Sequence, residues 1–98
     1  MTIEKSLNNT QMTLSVIGRL DTSTAPQLEK VISEDLNNVT ELIIDCKALE
    51  YVSSAGLRII LKAQKKMSAV GGMKVVNVNE PIMEVFEITG FSDILTIE

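Results

Sequence analysis

Two adjacent serines, Ser53 and Ser54, stand where an apolar strand gives way to an apolar-periodic helix, and Arg58 follows four residues after the second. These residue types at this spacing suit reversible phosphorylation. The first turn of a helix leaves backbone N–H groups unpaired and carries partial positive charge, so it can hold an anion. A side chain four positions on lies one turn along the same face. A phosphate on Ser54 would therefore meet both the helix N-terminus and the Arg58 guanidinium. The helix-end interaction is worth about 0.3–1 kcal/mol when exposed, and phosphorylation adds roughly −1.5 to −2 charges. The modified chain is expected to stay folded, while a partner pressed on this spot would meet a new dianion. Mispairing one buried interface charge commonly costs about 2–5 kcal/mol, enough to release a partner. A serine at a helix start also has a structural use, because its oxygen can accept an N–H from the first turn. On the residues alone, capping and switching stand side by side. Both hold if Ser53 caps and Ser54 faces outward.

Much other chemistry is missing. The chain has no histidine, which removes the commonest general base, a Ser–His–Asp triad and any His-containing zinc site. Its single cysteine, Cys46, cannot form an internal disulfide or a thiolate metal site. Because Cys46 follows an apolar run, it reads as a small buried hydrophobe. Gly71-Gly72 lacks the lysine and hydroxyl residue of a phosphate-binding loop. Glu34 and Asp35 are sequence neighbours that point in different directions on a helix. No enzyme, cofactor or metal is expected. A net charge of −4 argues against nucleic acid or an anionic membrane as the main partner. No apolar run reaches the roughly 20 residues needed to span a bilayer, and no secretory signal is visible, so a cytoplasmic location is expected.

The elements that must position the serines can be read from the pattern. In 98 residues, 45% hydrophobic and 22% charged, one domain is expected over residues 1–98, with an aliphatic core. Residues 3–7 and 11–20 read as strands joined at Asn8-Asn9-Thr10. Met12, Leu14 and Val16 alternate with Gln11, Thr13 and Ser15, the pattern of a half-buried antiparallel strand. A helix follows, with Thr24 and Gln27 at capping-box spacing, Pro26 in the first turn, and Ala25, Leu28, Ile32 and Leu36 on one face. Leu42-Ile43-Ile44 reads as a strand covered on both faces.

The next helix is expected over 54–70, ended by Gly71-Gly72. Leu57, Ile60, Leu61 and Gln64 would share its apolar face, near Ala63 and Met67. Arg58, Lys62, Lys65 and Lys66 would form a solvated basic stripe. Lys74–Val78 reads as a strand, and Pro81 opens a helix carrying Ile82, Val85 and Phe86 that ends at Gly90. Residues 94–97 read as a last short strand. The order β-β-α-β-α-β-α-β implies an α/β domain with a mixed β-sheet and helices mainly on one face.

Three stretches carry a resemblance. Gly18-Arg-Leu-Asp-Thr-Ser-Thr-Ala-Pro26, Ile43-Ile-Asp-Cys-Lys-Ala-Leu-Glu-Tyr-Val-Ser-Ser-Ala-Gly-Leu57, and Gly71-Gly72 with Lys74–Val78, Phe86 and Gly90-Phe91 resemble the STAS domain of anti-sigma factor antagonists. The resemblance implies a protein that binds an anti-sigma factor and frees a sigma factor for transcription. The anti-sigma factor is typically also a serine kinase that phosphorylates its antagonist, and a PP2C-type phosphatase reverses this. The family's phosphorylated serine falls on Ser54, with Ser53 as second choice. Asp21 falls on an acidic position near that serine. With Thr22, Ser23, Ser53, Gly56, Arg58 and Lys62 it makes up the expected phosphate or partner contacts. The chain departs from the family in one place: relatives often carry Asp immediately before the target serine, where this chain has Ser53. STAS domains also serve as non-phosphorylated scaffold subunits in transporters and other assemblies, which is the alternative reading.

Overall fold

A computed structural model describes residues 1–98. Two antiparallel strands open the chain, β1 (Thr2–Asn8) and β2 (Gln11–Leu20), with Asn9 in the turn at φ 58°. Asparagine tolerates that left-handed conformation better than most residues. Then come α1 (Ala25–Glu34), β3 (Glu41–Asp45), β4 (Leu49–Val52), α2 (Ser54–Ser68), β5 (Gly72–Val76) and α3 (Glu80–Ile88), with a closing 3-10 turn at Phe91–Asp93. The sheet runs β1-β2-β3-β5, with β3 parallel to both β2 and β5, and β4 pairs parallel with the far end of β2. The mixed α/β sheet expected from the sequence is therefore present.

The alternation along the strands decides where the core lies. Met12, Leu14 and Val16 of β2, Leu42 and Ile44 of β3, and Met73 and Val75 of β5 share one face and are buried. The helices cover that face with Leu28 and Ile32, with Ile60, Ala63 and Met67, and with Ile82 and Phe86. Burying a large aliphatic or aromatic side chain contributes about 1.5–3 kcal/mol. Cys46 is fully buried in this cluster, and burial, helped by the Asp45 charge, pushes its thiol up to about 12. That fits its reading as a small hydrophobe.

Several expectations need correction. Ile43 is only half-buried: its face of the sheet carries no helix, so β3 is covered on one side and not both. The strand before α2 has no counterpart in the expected order. Leu49 and Val52 point inward while Glu50 and Tyr51 point out, a pattern too short to show alternation. Conversely, residues 94–97 form no full strand; Ile97 makes one parallel bridge to Val75 after the 3-10 turn. The five strands are thus placed differently from the expected order. Helix α2 buries Gly56, Leu57, Ile59, Ile60, Ala63 and Met67, whereas Leu61 and Gln64 lie half-buried at the margin.

Two local devices also differ. Thr24 does not cap α1 with its side chain. Its Oγ1 instead donates to the Arg19 carbonyl at 2.8 Å and accepts from the Asp21 N–H at 2.8 Å. Gly71 ends no helix through a left-handed turn, since α2 stops at Ser68. A Cβ there would fall 1.9 Å from the Thr40 carbonyl oxygen, so glycine is needed for close approach of two backbones.

Candidate functional site

The site is built where β2 and β4 end together. Their register pairs Arg19 with Tyr51 and Leu20 with Val52, after an irregularity at Gly18, whose φ is 97°. The Ser53 N–H then donates to the Leu20 carbonyl at 2.9 Å, which fixes the start of α2 against the end of β2. Ser53 is extended, at φ −94° and ψ 174°, and its Oγ accepts from the Gly56 N–H at 3.3 Å. Ser53 is the cap of α2. Ser54, the first helical residue, is exposed, and the first turn holds no acidic side chain. Its hydroxyl therefore stands at the positive end of a 15-residue helix with no anion already in place.

Beside it, Asp21 organises a tight turn. One carboxylate oxygen accepts from the Ser23 hydroxyl at 2.7 Å, the Ser23 N–H at 3.0 Å and the Thr24 N–H at 3.1 Å. The Ser23 hydroxyl bond, with those backbone bonds, holds the Asp21 carboxyl below its ordinary value. Ser23 is thus engaged with Asp21, while Thr22 points to solvent. Gly56 is packed under this turn, where a Cβ would fall 2.6 Å from Leu20 Cγ.

The basic residues of α2 divide in two. Lys62 pairs with Glu29 of α1 at 3.0 Å, and Lys66 donates to the Ile32 carbonyl at 2.8 Å. Both tie α2 to α1, although an exposed pair of this kind is worth only about 0.2–1 kcal/mol. Arg58 is exposed and takes part in no ion pair. Two further residues escaped the sequence reading. The Arg19 guanidinium lies over the Tyr51 ring, 4.2 Å from its centroid, and Arg19 Nε approaches Asp21 at 3.8 Å. The one available signal was that Tyr51, the only tyrosine in the chain, stands just before the serine pair.

The arrangement offers an exposed hydroxyl, a free helix N-terminus and an unpaired guanidinium on the same helix. A side chain able to take the Ser54 proton is not among the hydrogen-bonded partners here. The largest cleft, about 630 Å³ between Thr40, Gln64, Gly71 and Thr96, includes none of these residues.

The STAS domain family model matches residues 2–98. The chain belongs to the STAS domain family. Over 82 residues it is 34% identical to BtrV of Bordetella bronchiseptica, described as a candidate anti-sigma factor antagonist, covering 82% of this chain and 71% of the relative. It is 27% identical over 96 residues to the anti-sigma-B factor antagonist of Bacillus subtilis, covering 97% of this chain and 88% of that one. Among solved structures, the anti-sigma factor antagonist from Mycobacterium paratuberculosis superposes with a TM-score of 0.88 at 28% identity, covering 98% of this chain and 83% of that chain. This STAS domain has no helix long and apolar enough to cross a membrane.

Proposed function

We propose that this chain is an anti-sigma factor antagonist whose hold on its anti-sigma factor is ended by phosphorylation of Ser54. The carrying observation is the exposed Ser54 at the first position of α2, with the cap supplied by its neighbour Ser53. Relatives of the STAS family named as anti-sigma factor antagonists support the general role. The partner is an anti-sigma factor with serine kinase activity, and the site of action is the cytoplasm. The whole chain, residues 1–98, works as one STAS domain.

In the kinase step the Ser54 Oγ forms a bond to the γ-phosphorus of ATP. The bond from that phosphorus to the β–γ bridging oxygen breaks, ADP leaves, and the hydroxyl proton passes to a base of the kinase. The product phosphate meets unpaired N–H groups of the first turn and lies one turn from Arg58. The fold therefore tolerates the modification while the partner surface does not. A PP2C-type phosphatase returns the hydroxyl by transferring the phosphoryl group to water.

The test is incubation with the anti-sigma kinase and ATP, followed by mass spectrometry. One phosphate is expected in wild type and in Ser53→Ala, and none in Ser54→Ala. Ser54→Asp is expected to weaken partner binding by at least about tenfold, a difference of about 1.4 kcal/mol. An unphosphorylated wild type together with full binding by Ser54→Asp would replace the switch by a constitutive scaffold.

A further inference from the structure

We infer that Arg19, laid over the Tyr51 ring, is a ready-made receptor for a carboxylate on the anti-sigma partner; the inference rests on the function proposed above. The two residues sit opposite each other on parallel strands, so their side chains rise from the same face of the sheet. The guanidinium lies 4.2 Å from the ring centroid, yet the Arg19 side chain is 60% exposed and Tyr51 is 40% exposed. An exposed arginine normally samples many rotamers. Stacking narrows that range before any partner arrives, so less freedom is lost on binding.

Arg19 is held only loosely by an acid of its own. Its one acidic neighbour, Asp21, approaches Nε at 3.8 Å and directs the other carboxylate oxygen to Ser23 and Thr24. The outer fork of the guanidinium stays open to solvent, in the geometry that binds a carboxylate through two parallel N–H donors. Arg58 takes part in no ion pair, and the α2 N-terminus adds its partial positive charge. These positive groups, set against Asp21 and the exposed Glu50, give a carboxylate a local foothold at Arg19. Arginine and tyrosine are also the residues most often found to anchor interfaces.

Position links this receptor to the switch. One residue beyond Arg19 and Tyr51, Leu20 and Val52 lead directly to the Leu20 carbonyl bond with Ser53 N–H. A partner seated on Arg19 and Tyr51 therefore sits at the strand ends that lead into α2. A phosphate on Ser54 would repel its acidic surface and offer the nearby cations a rival anion. Release then follows from charge alone, with no change of fold.

The experiment measures binding of purified kinase-type anti-sigma factors of the same genome by calorimetry at two salt concentrations. Arg19→Gln and Arg19→Lys are expected to weaken binding about tenfold or more, as for an anchoring residue. Tyr51→Phe, which keeps the ring face, is expected to stay within about threefold, and Tyr51→Ala to lose about tenfold. The salt sensitivity of binding should fall in Arg19→Gln. Wild-type affinity in Arg19→Gln, while Ser54→Asp still loses binding, would overturn this inference and leave the switch intact. No binding by the wild-type chain would overturn both.

Discussion

Gly56 lies so close to Leu20 that a Cβ at position 56 would stand 2.6 Å from Leu20 Cγ and 3.0 Å from the Leu20 carbonyl oxygen. The helix N-terminus carrying Ser54 is seated by this contact and by the Ser53 N–H bond to the same carbonyl. Gly56→Ala is expected to lower stability by about 1–3 kcal/mol, the usual cost of forcing atoms into a packed site. Gly72, where an added Cβ meets nothing within 4 Å, is the control. Gly72→Ala should be neutral or gain up to about 1 kcal/mol by restricting the unfolded chain. Urea denaturation of both variants checks this, and equal losses would remove the close-approach argument.

The two serines should separate cleanly in stability measurements. Ser53→Ala removes the oxygen that accepts the Gly56 N–H and should cost about 0.5–2 kcal/mol. Ser53→Asp keeps a capping oxygen and adds a favourable charge worth about 0.3–1 kcal/mol. Ser54→Ala, at an exposed position, should change stability by no more than about 0.5 kcal/mol. In thermal melts Ser53→Asp should unfold above the wild type, Ser53→Ala below it, and Ser54→Ala close to it. A large loss in Ser54→Ala would assign the cap to the wrong serine.

Asp21 titrates below its ordinary value of 3.8, and the Ser23 hydroxyl bond is the main cause. A carboxyl lowered in the folded state contributes stability that is present above its unfolded value and lost as pH falls through the folded one. Carboxyl-carbon NMR should place Asp21 below 3.8 in the wild type and move it upward in Ser23→Ala. Because hydrogen bonds and not distant charges set the shift, added salt should leave it nearly unchanged. A value that rises with salt would contradict this origin.

Cys46 has the opposite dependence. Burial holds the thiol protonated, up to about 12 against an ordinary value of 9.0. The thiolate is favoured only in the unfolded chain between these values. The cysteine contribution is therefore intact below about pH 9 and declines as pH rises toward 12. In the native protein, a thiol reagent should label Cys46 only through opening of the core, at a rate that rises with urea. Rapid labelling of the folded protein at neutral pH would show that the thiol is reachable.

The helix faces and the hairpin were legible because each depends on neighbours close in sequence. Asn9 supplied the turn, Met12, Leu14 and Val16 the strand face, and Ala25, Leu28 and Ile32 the helix face. Pro81 and the left-handed Gly90, at φ 80°, bracketed α3 for the same local reasons. β4 stayed hidden because Leu49–Val52 takes its strand geometry only by pairing with the far end of β2. Thr24 matched a capping-box spacing, but its hydroxyl has a better use between the Arg19 carbonyl and the Asp21 N–H.

By itself the sequence determined the existence of a helix beginning at the serine pair, because periodicity and capping chemistry act within one or two turns. It also determined the exclusions, since a chain without histidine and with one cysteine carries that lack into any fold. Only the tertiary structure decided that the strand ahead of the serines pairs with the end of β2 and ties Ser53 N–H to the Leu20 carbonyl. It alone brought Arg19 over Tyr51, and it alone explained Gly56 and Gly71 by the backbones that approach them. The physical reason is that strand pairing and close approach join residues distant along the chain, and no local pattern of apolar and polar residues records those contacts.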